Sequence, residues 1–122
     1  MLRKGRKISG GKYHRARKRK LREMPGKPRP VKLGTEKIKT LPGRSGILKT
    51  FTLSTDKAFV LDKKTGKIKS AKIKSVLETP ANKFLARSNL MMKGSIIDTE
   101  LGKARITNRP GQTGDVHAVL ID

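Results

Sequence analysis

The chain has 122 residues, with 31 Lys and Arg against nine Asp and Glu, no cysteine, and only three Phe and one Tyr as aromatic side chains. A net charge of +22 far exceeds what solubility requires and points to a polyanionic partner, either nucleic acid or an anionic surface. The lack of cysteine excludes disulfides, thiolate metal sites and cysteine nucleophiles, and the length allows one domain plus a tail.

The charge is uneven: the net value is +13 over residues 1–32, +8 over 33–74 and +1 over 75–122. The first block holds fourteen Lys and Arg, and Glu23 is its only acid. Such a segment buries too little to offset its chain entropy, so it is expected to order on a partner. No apolar run of about 7–15 residues follows the basic start, so a secretory signal is not expected. Leu2, Ile8, Tyr13, Leu21 and Met24 make no helical stripe, so no membrane role is expected, and nucleic acid is left as the partner.

Within this arm the candidate contacts are Arg3, Lys4, Arg6, Lys7, Lys12, Arg15, Arg17, Lys18, Arg19, Lys20, Arg22, Lys27, Arg29 and Lys32. Arginines can fork two phosphate oxygens or stack on bases, whereas lysines act as point charges. Gly10 and Gly11 beside Tyr13 admit two readings. They let the backbone approach a phosphate while the ring stacks on a base, or they are plain linker. Short helix is allowed only within 12–24. Residues 25–34, with three prolines and two glycines, exclude it. The predicted organisation is an extended basic arm over 1–34 and a β domain over 35–122.

From Thr35 the texture becomes short β-branched runs between turn signals. Strands are predicted at 36–41, 47–53, 57–62, 67–77, 95–99, 103–107 and 115–121, which argues for an all-β fold, a small six- or seven-stranded barrel or sandwich. Lys49 falls on the apolar parity of its strand, which implies an edge strand or an outward-turned side chain. The phase of Ile68 disagrees with that of Ala71 and Ile73, which suggests a bulge near Ser70 or two separate pieces. The last strand is apolar at nearly every position and is expected to be central and buried on both faces. One helical turn is predicted over 81–88, after Thr79-Pro80, with Phe84 and Leu85 covering an open end of the barrel. The expected core comprises Phe51, Phe59 and Phe84 with aliphatics such as Ile38, Val60, Ile73, Val76, Ile96, Ile97, Ile106, Val119 and Leu120.

Lys63, Lys64 and Lys67 stand in a basic turn between two strands, where solubilising lysines and phosphate contacts look alike. The turn is not a Walker loop, since the first glycine and the following Ser or Thr are missing. Arg44, Arg87 and Lys93 add further candidate contacts. The loop 108–115 contains Arg109 and Gln112, which can reach a backbone or base edge, or else Pro110-Gly111 serve turn geometry alone. Catalytic material is sparse. His14 lies in the arm, His117 on a strand expected to be buried, and Glu78, Asp98 and Glu100 lack the spacing of a metal cluster. No enzymatic activity, metal, cofactor or small-molecule substrate is expected.

Ser9-Gly10-Gly11-Lys12-Tyr13 with its Arg/Lys run, Lys32-Leu33-Gly34, Asp62-Lys63-Lys64-Thr65-Gly66-Lys67, Thr79-Pro80-Ala81-Asn82, Lys93-Gly94-Ser95-Ile96-Ile97, Thr99-Glu100-Leu101-Gly102-Lys103-Ala104 and Thr107-Asn108-Arg109-Pro110-Gly111-Gln112 run in order along nearly the whole chain. Together they resemble the eukaryotic and archaeal ribosomal protein eight family of the small subunit. Eukaryotic members carry a large insertion in the body that is missing here, so the resemblance is to archaeal members. Met24-Pro25-Gly26-Lys27-Pro28 departs from the Tyr-Glu-Leu-Gly-Arg-like stretch of archaeal relatives. The resemblance implies a monomeric cytoplasmic constituent of the small ribosomal subunit, bound to its RNA beside other ribosomal proteins. A chromatin-type DNA compactor explains the charge equally well, and an RNA-processing enzyme is the rival from a third class.

Overall fold

The structure, a computed structural model, describes residues 5–13, 18–26 and 29–121, with the backbone alone at Arg44. Its strands are β1 (Val31–Leu33), β2 (Lys37–Pro42), β3 (Leu48–Thr55), β4 (Lys57–Leu61), β5 (Ile68–Glu78), β6 (Leu90–Met91), β7 (Ile96–Thr99), β8 (Gly102–Ile106) and β9 (His117–Leu120). Between β5 and β6 lies one helix, α1 (Lys83–Arg87), and a 3-10 turn covers Leu21–Glu23 in the arm. The fold is all-β, as its β-branched runs imply. Two strands, β1 and β6, were not legible as strands.

Five strands close into a barrel in the order β4-β5-β7-β8-β9, sealed by parallel pairing of β9 with β4. A barrel this small has a narrow interior, and its inward positions alternate small with branched side chains to fill it. Ala58 and Val60, Ala71 and Ile73, Ala104 and Ile106, and Val116 and Ala118 make such pairs, all buried, with Ile97 fully enclosed. The expected bulge near Ser70 is absent: β5 pairs with β4 without a break from Lys72 to Ile68, and Ile68 simply faces solvent. The register shifts come later, between Ile73 and Ser75 and between Val76 and Glu78, where β5 meets β7. Bulges bend a strand, and here they let one long strand turn around the barrel wall.

The remaining strands form a sheet in the order β2-β3-β1-β6. β1 runs parallel to β3 and antiparallel to β6, and Val31, only 1% exposed, shares one core with Met91 and the barrel residues. Val31–Leu33, which lies within residues 1–34, therefore pairs and packs with the body. β1 pairs with β3 only at Ser54 and Thr55, so at Lys49 the strand has β2 alone beside it, and Lys49 stands exposed on a local edge as expected.

Ile96 and Val119, also expected in the core, take the outward register beside Ile97 and Ala118 and are only partly buried, and three more expected core residues are exposed. Ile38 is 49%, Phe59 40% and Phe84 71% exposed. Ile38 stands on the β2–β3 hairpin with the exposed Ile47 and Leu48, and Phe59 takes the outward register of β4 while Val60 turns in. α1 starts where Asn82 Oδ1 accepts the Phe84 N–H at 3.0 Å, as its N-cap chemistry implies. Yet it packs on the core through Ala86, so Phe84 does not cover the barrel end. Asn89 follows at φ 50°, a left-handed conformation that asparagine tolerates. Its side chain accepts the Val76 N–H at 3.2 Å and its carbonyl the Leu33 N–H at 3.1 Å, joining β5 to β1. β9 has a strand on each side, as expected, but it is not buried on both faces. Val116 and Ala118 point inward, and His117 is exposed because the outer wall of a closed barrel meets solvent.

Candidate nucleic-acid interface

The arm leaves the body at a constructed root. Arg29 places its guanidinium 4.2 Å from the ring centroid of Phe51, a cation–π distance, and Phe51 is otherwise buried. Against the Arg29 backbone lies Gly111, where any Cβ would come 2.8 Å from the Arg29 carbonyl oxygen. Thr52 locks the same loop to β3: its hydroxyl donates to the Gly114 carbonyl at 2.6 Å, and its N–H to the Thr113 carbonyl at 3.0 Å. Asn108 spans the two legs of the loop. Its amide donates to Thr113 Oγ1 at 2.8 Å and to the Asp115 carbonyl at 2.7 Å, and its Oδ1 accepts the His117 N–H. Pro110 and Gly111 thus serve packing, which leaves the exposed side chains of Arg109 and Gln112 on an ordered rim.

Further out, residues 6–12 fold back on themselves. Arg6 and Lys12 form a bridge, the Gly10 N–H donates to the Lys7 carbonyl, and Arg6 Nη1 donates to the Gly10 carbonyl at 2.9 Å. Gly10, at φ +78°, supplies the left-handed turn residue. Lys7 Nζ lies 6.0 Å from the centroid of the half-exposed Tyr13 ring. The acid of the arm caps locally, with Glu23 Oε2 accepting the Lys20 N–H at 3.2 Å. Lys18, Lys20 and Arg22 are exposed and Arg19 is half-buried. Arg3, Lys4, Arg15, Arg17, Lys27, His14 and the Arg44 side chain lie outside the described residues.

On the body, Asp62 builds the basic turn. Its carboxylate accepts the Thr65 hydroxyl at 2.8 Å and the Lys64 N–H at 2.9 Å, with Gly66 at φ +66°, and Lys63, Lys64 and Lys67 project outward. The Thr65 hydroxyl, then the Lys64 N–H, hold the Asp62 carboxyl below the usual carboxylate range. A lowered folded-state pKa adds stability above the unfolded value and loses it as pH falls through the folded one, so the turn loosens only in acid. In an NMR titration the Asp62 midpoint is expected below that of an unstructured peptide, and Thr65→Val is expected to bring it back up.

Lys63 and Lys93, far apart in sequence, meet with Arg105 around a shallow depression floored by Ile106, Val119 and Leu120. Arg105 was overlooked, although the parity of Ala104 and Ile106 marks it as outward. Lys32 is exposed on β1, while the Arg87 guanidinium lies 5.8 Å from the ring of its neighbour Phe84. Among the described residues the side chains of Lys63, Lys67, Lys93, Arg105 and Arg109 meet no carboxylate within 4 Å, whereas Lys57 lies 4.0 Å from Glu36. These unneutralised cations cover an exterior whose candidate catalytic groups are scattered. Among the described residues no group of three or more His, Asp or Glu gathers at one point, and no helix is long and apolar enough to cross a membrane.

Comparison with known proteins decides the family. The family model described as "Ribosomal protein S8e" matches residues 2–121, arm and body together. The chain belongs to the S8e family. It is 48% identical over 117 residues to a small ribosomal subunit protein eS8 of Methanocorpusculum labreanum, covering 96% of this chain and 94% of that protein. It is also 45% identical to the protein of the same name from Sulfurisphaera tokodaii, covering 95% and 91%, and 41% identical to that of Methanospirillum hungatei, covering 96% and 94%.

Membership in S8e makes the chain a structural ribosomal protein and not an enzyme, and its near relatives are mostly archaeal. Within such a protein His117 needs no catalytic reading. Its exposed ring stacks on Phe59, with 5.7 Å between centroids. The S8e match also spans the root just described, since residues 2–121 include Arg29, Phe51 and the loop 108–115.

Proposed function

We propose that this protein is a structural constituent of the small ribosomal subunit, binding ribosomal RNA through its basic arm and the cationic exterior of its β body, and so supporting subunit assembly and translation in the cytoplasm. It acts as a monomer among neighbouring ribosomal proteins, without a small-molecule substrate. The observation that carries this reading is the root. A segment with twelve cations in 28 residues joins the body at Arg29, whose packed seat on Phe51 and Gly111 gives the polycation a fixed origin. The arm neutralises phosphates and releases counterions, while the β body docks by shape, as suits A-form RNA with its inaccessible major groove.

The test is a competition at about 0.2 M salt, where weak non-specific charge binding is largely screened. Small-subunit ribosomal RNA is expected to displace random duplex DNA from the full chain. Equal affinity for the two would favour a general DNA compactor and overturn the proposal.

A further inference from the structure

The outer wall of the barrel holds an arrangement separate from the arm. Phe59 on β4 and His117 on β9 are register partners in the parallel pair that seals the barrel, and their rings stack with 28° between planes. Both are exposed, Phe59 at 40%. The ring is outside because the same alternation that turns Val60 and Ala118 into the lumen turns Phe59 and His117 out.

The next outward row on the same strands is Leu61 opposite Val119, with Arg105 opposite Val119 on β8. On the other side of Phe59, Ser70 faces it across β5, and Lys57 lies opposite Lys72. The stacked pair, whose outer ring faces are free to extend the stack, is therefore flanked by Arg105 in one direction and in the other by Lys72 and by Lys57, which lies 4.0 Å from Glu36. Bases stack on such platforms whatever their identity, because every base has a π face, and cations on either side meet the phosphates that flank it. Ile68, opposite Leu61 and 65% exposed, widens the apolar wall, and the cations on both sides of the rings favour a phosphate-bearing occupant.

We propose that the Phe59–His117 pair is the seat of one unpaired base of the RNA, with Arg105, Lys57 and Lys72 serving its neighbouring phosphates. This rests on the reading that the chain binds ribosomal RNA, and adds to it a single-stranded contact on the body.

The experiment measures binding of the full chain to small-subunit ribosomal RNA as a function of salt, for the wild type, Phe59→Leu and Phe59→Trp. Phe59→Leu is expected to weaken binding roughly tenfold with an unchanged salt slope, since stacking releases no counterions, and Phe59→Trp to restore it. Photocrosslinking is expected to join one unpaired nucleotide to Phe59 or His117. If melting shows that Phe59→Leu fails to fold, His117→Leu carries the same test. Wild-type affinity in Phe59→Leu with crosslinks elsewhere overturns the seat and leaves the arm reading intact. Normal affinity for naked RNA combined with loss from assembled particles would assign the face to a protein neighbour and also overturn it. Failure of the wild-type chain to bind ribosomal RNA at all would remove the underlying reading itself.

Discussion

A chain beginning at Arg29 is expected to stay folded and to lose most of its affinity for small-subunit ribosomal RNA. The truncation removes twelve Lys and Arg, leaving nineteen cations and eight carboxylates on the body. Each neutralised phosphate contributes about 0.7–0.9 to the slope of log affinity against log salt. If half of the removed cations touch phosphate, the slope falls by roughly 4–5 and the affinity drops by about a thousandfold or more at moderate salt. Filter binding across a salt series measures both quantities. An unchanged slope would transfer the electrostatic role to the body, through Lys63, Lys67, Lys93 and Arg105.

The truncation point matters because the root is part of the fold. A chain beginning at Leu33 also loses Val31 from the core, worth about 2 kcal/mol from burial alone, together with the Arg29–Phe51 contact and most of the β1 pairing. It is expected to melt well below the chain beginning at Arg29. Equal melting temperatures would put the start of the body back at Thr35.

Gly111→Ala is the second large effect. The new Cβ would lie 2.8 Å from the Arg29 carbonyl oxygen and 3.8 Å from a Val31 methyl, and the closer neighbour is backbone that cannot rotate aside. Either loop 108–115 lifts from β3, breaking the Thr52 hydrogen bonds, or the arm root moves. Overpacking of this kind costs about 1–3 kcal/mol, which for a body of this size lowers the melting temperature by roughly 5–15 °C. RNA affinity is expected to fall while the salt slope is retained, because the cations remain and only the direction of the arm is lost. Gly26→Ala is the control: nothing lies within 4 Å of its added Cβ, and it is expected to be silent. A Gly111→Ala protein as stable as the wild type would show that the loop does not rest on the arm root.

The strands in the body were legible wherever neighbours in sequence pair with each other. β4 and β5, or β7 and β8, are hairpins whose turn residues and alternation sit side by side in the chain. β1 and β6 were illegible for the opposite reason. Val31–Leu33 follows three prolines in seven residues, and its partners, Ser54 and Met91, are distant in sequence. Extended proline-rich chain and a three-residue strand share the same backbone region, so only the partners tell them apart. Ile38, Phe59 and Phe84 were assigned to the core by residue type, but hydrophobicity alone does not state which side of a strand or helix meets another layer.

The candidate interface divides along the same line. Charge is a property of composition, so the polybasic arm, the lack of catalytic groupings and the need for a polyanionic partner follow from the residues alone. Long-range proximity is not. That Arg29 sits on Phe51, that Gly111 must lack a side chain, that Lys63 meets Lys93 and Arg105, and that Phe59 stacks on His117 outside the barrel all depend on strands joined across the closed sheet. Residue types and their spacing establish a cationic chain with a β body of the S8e type. Which side chains stand together on the surface follows from the fold, because register and barrel closure set the face of every residue and no local pattern encodes both.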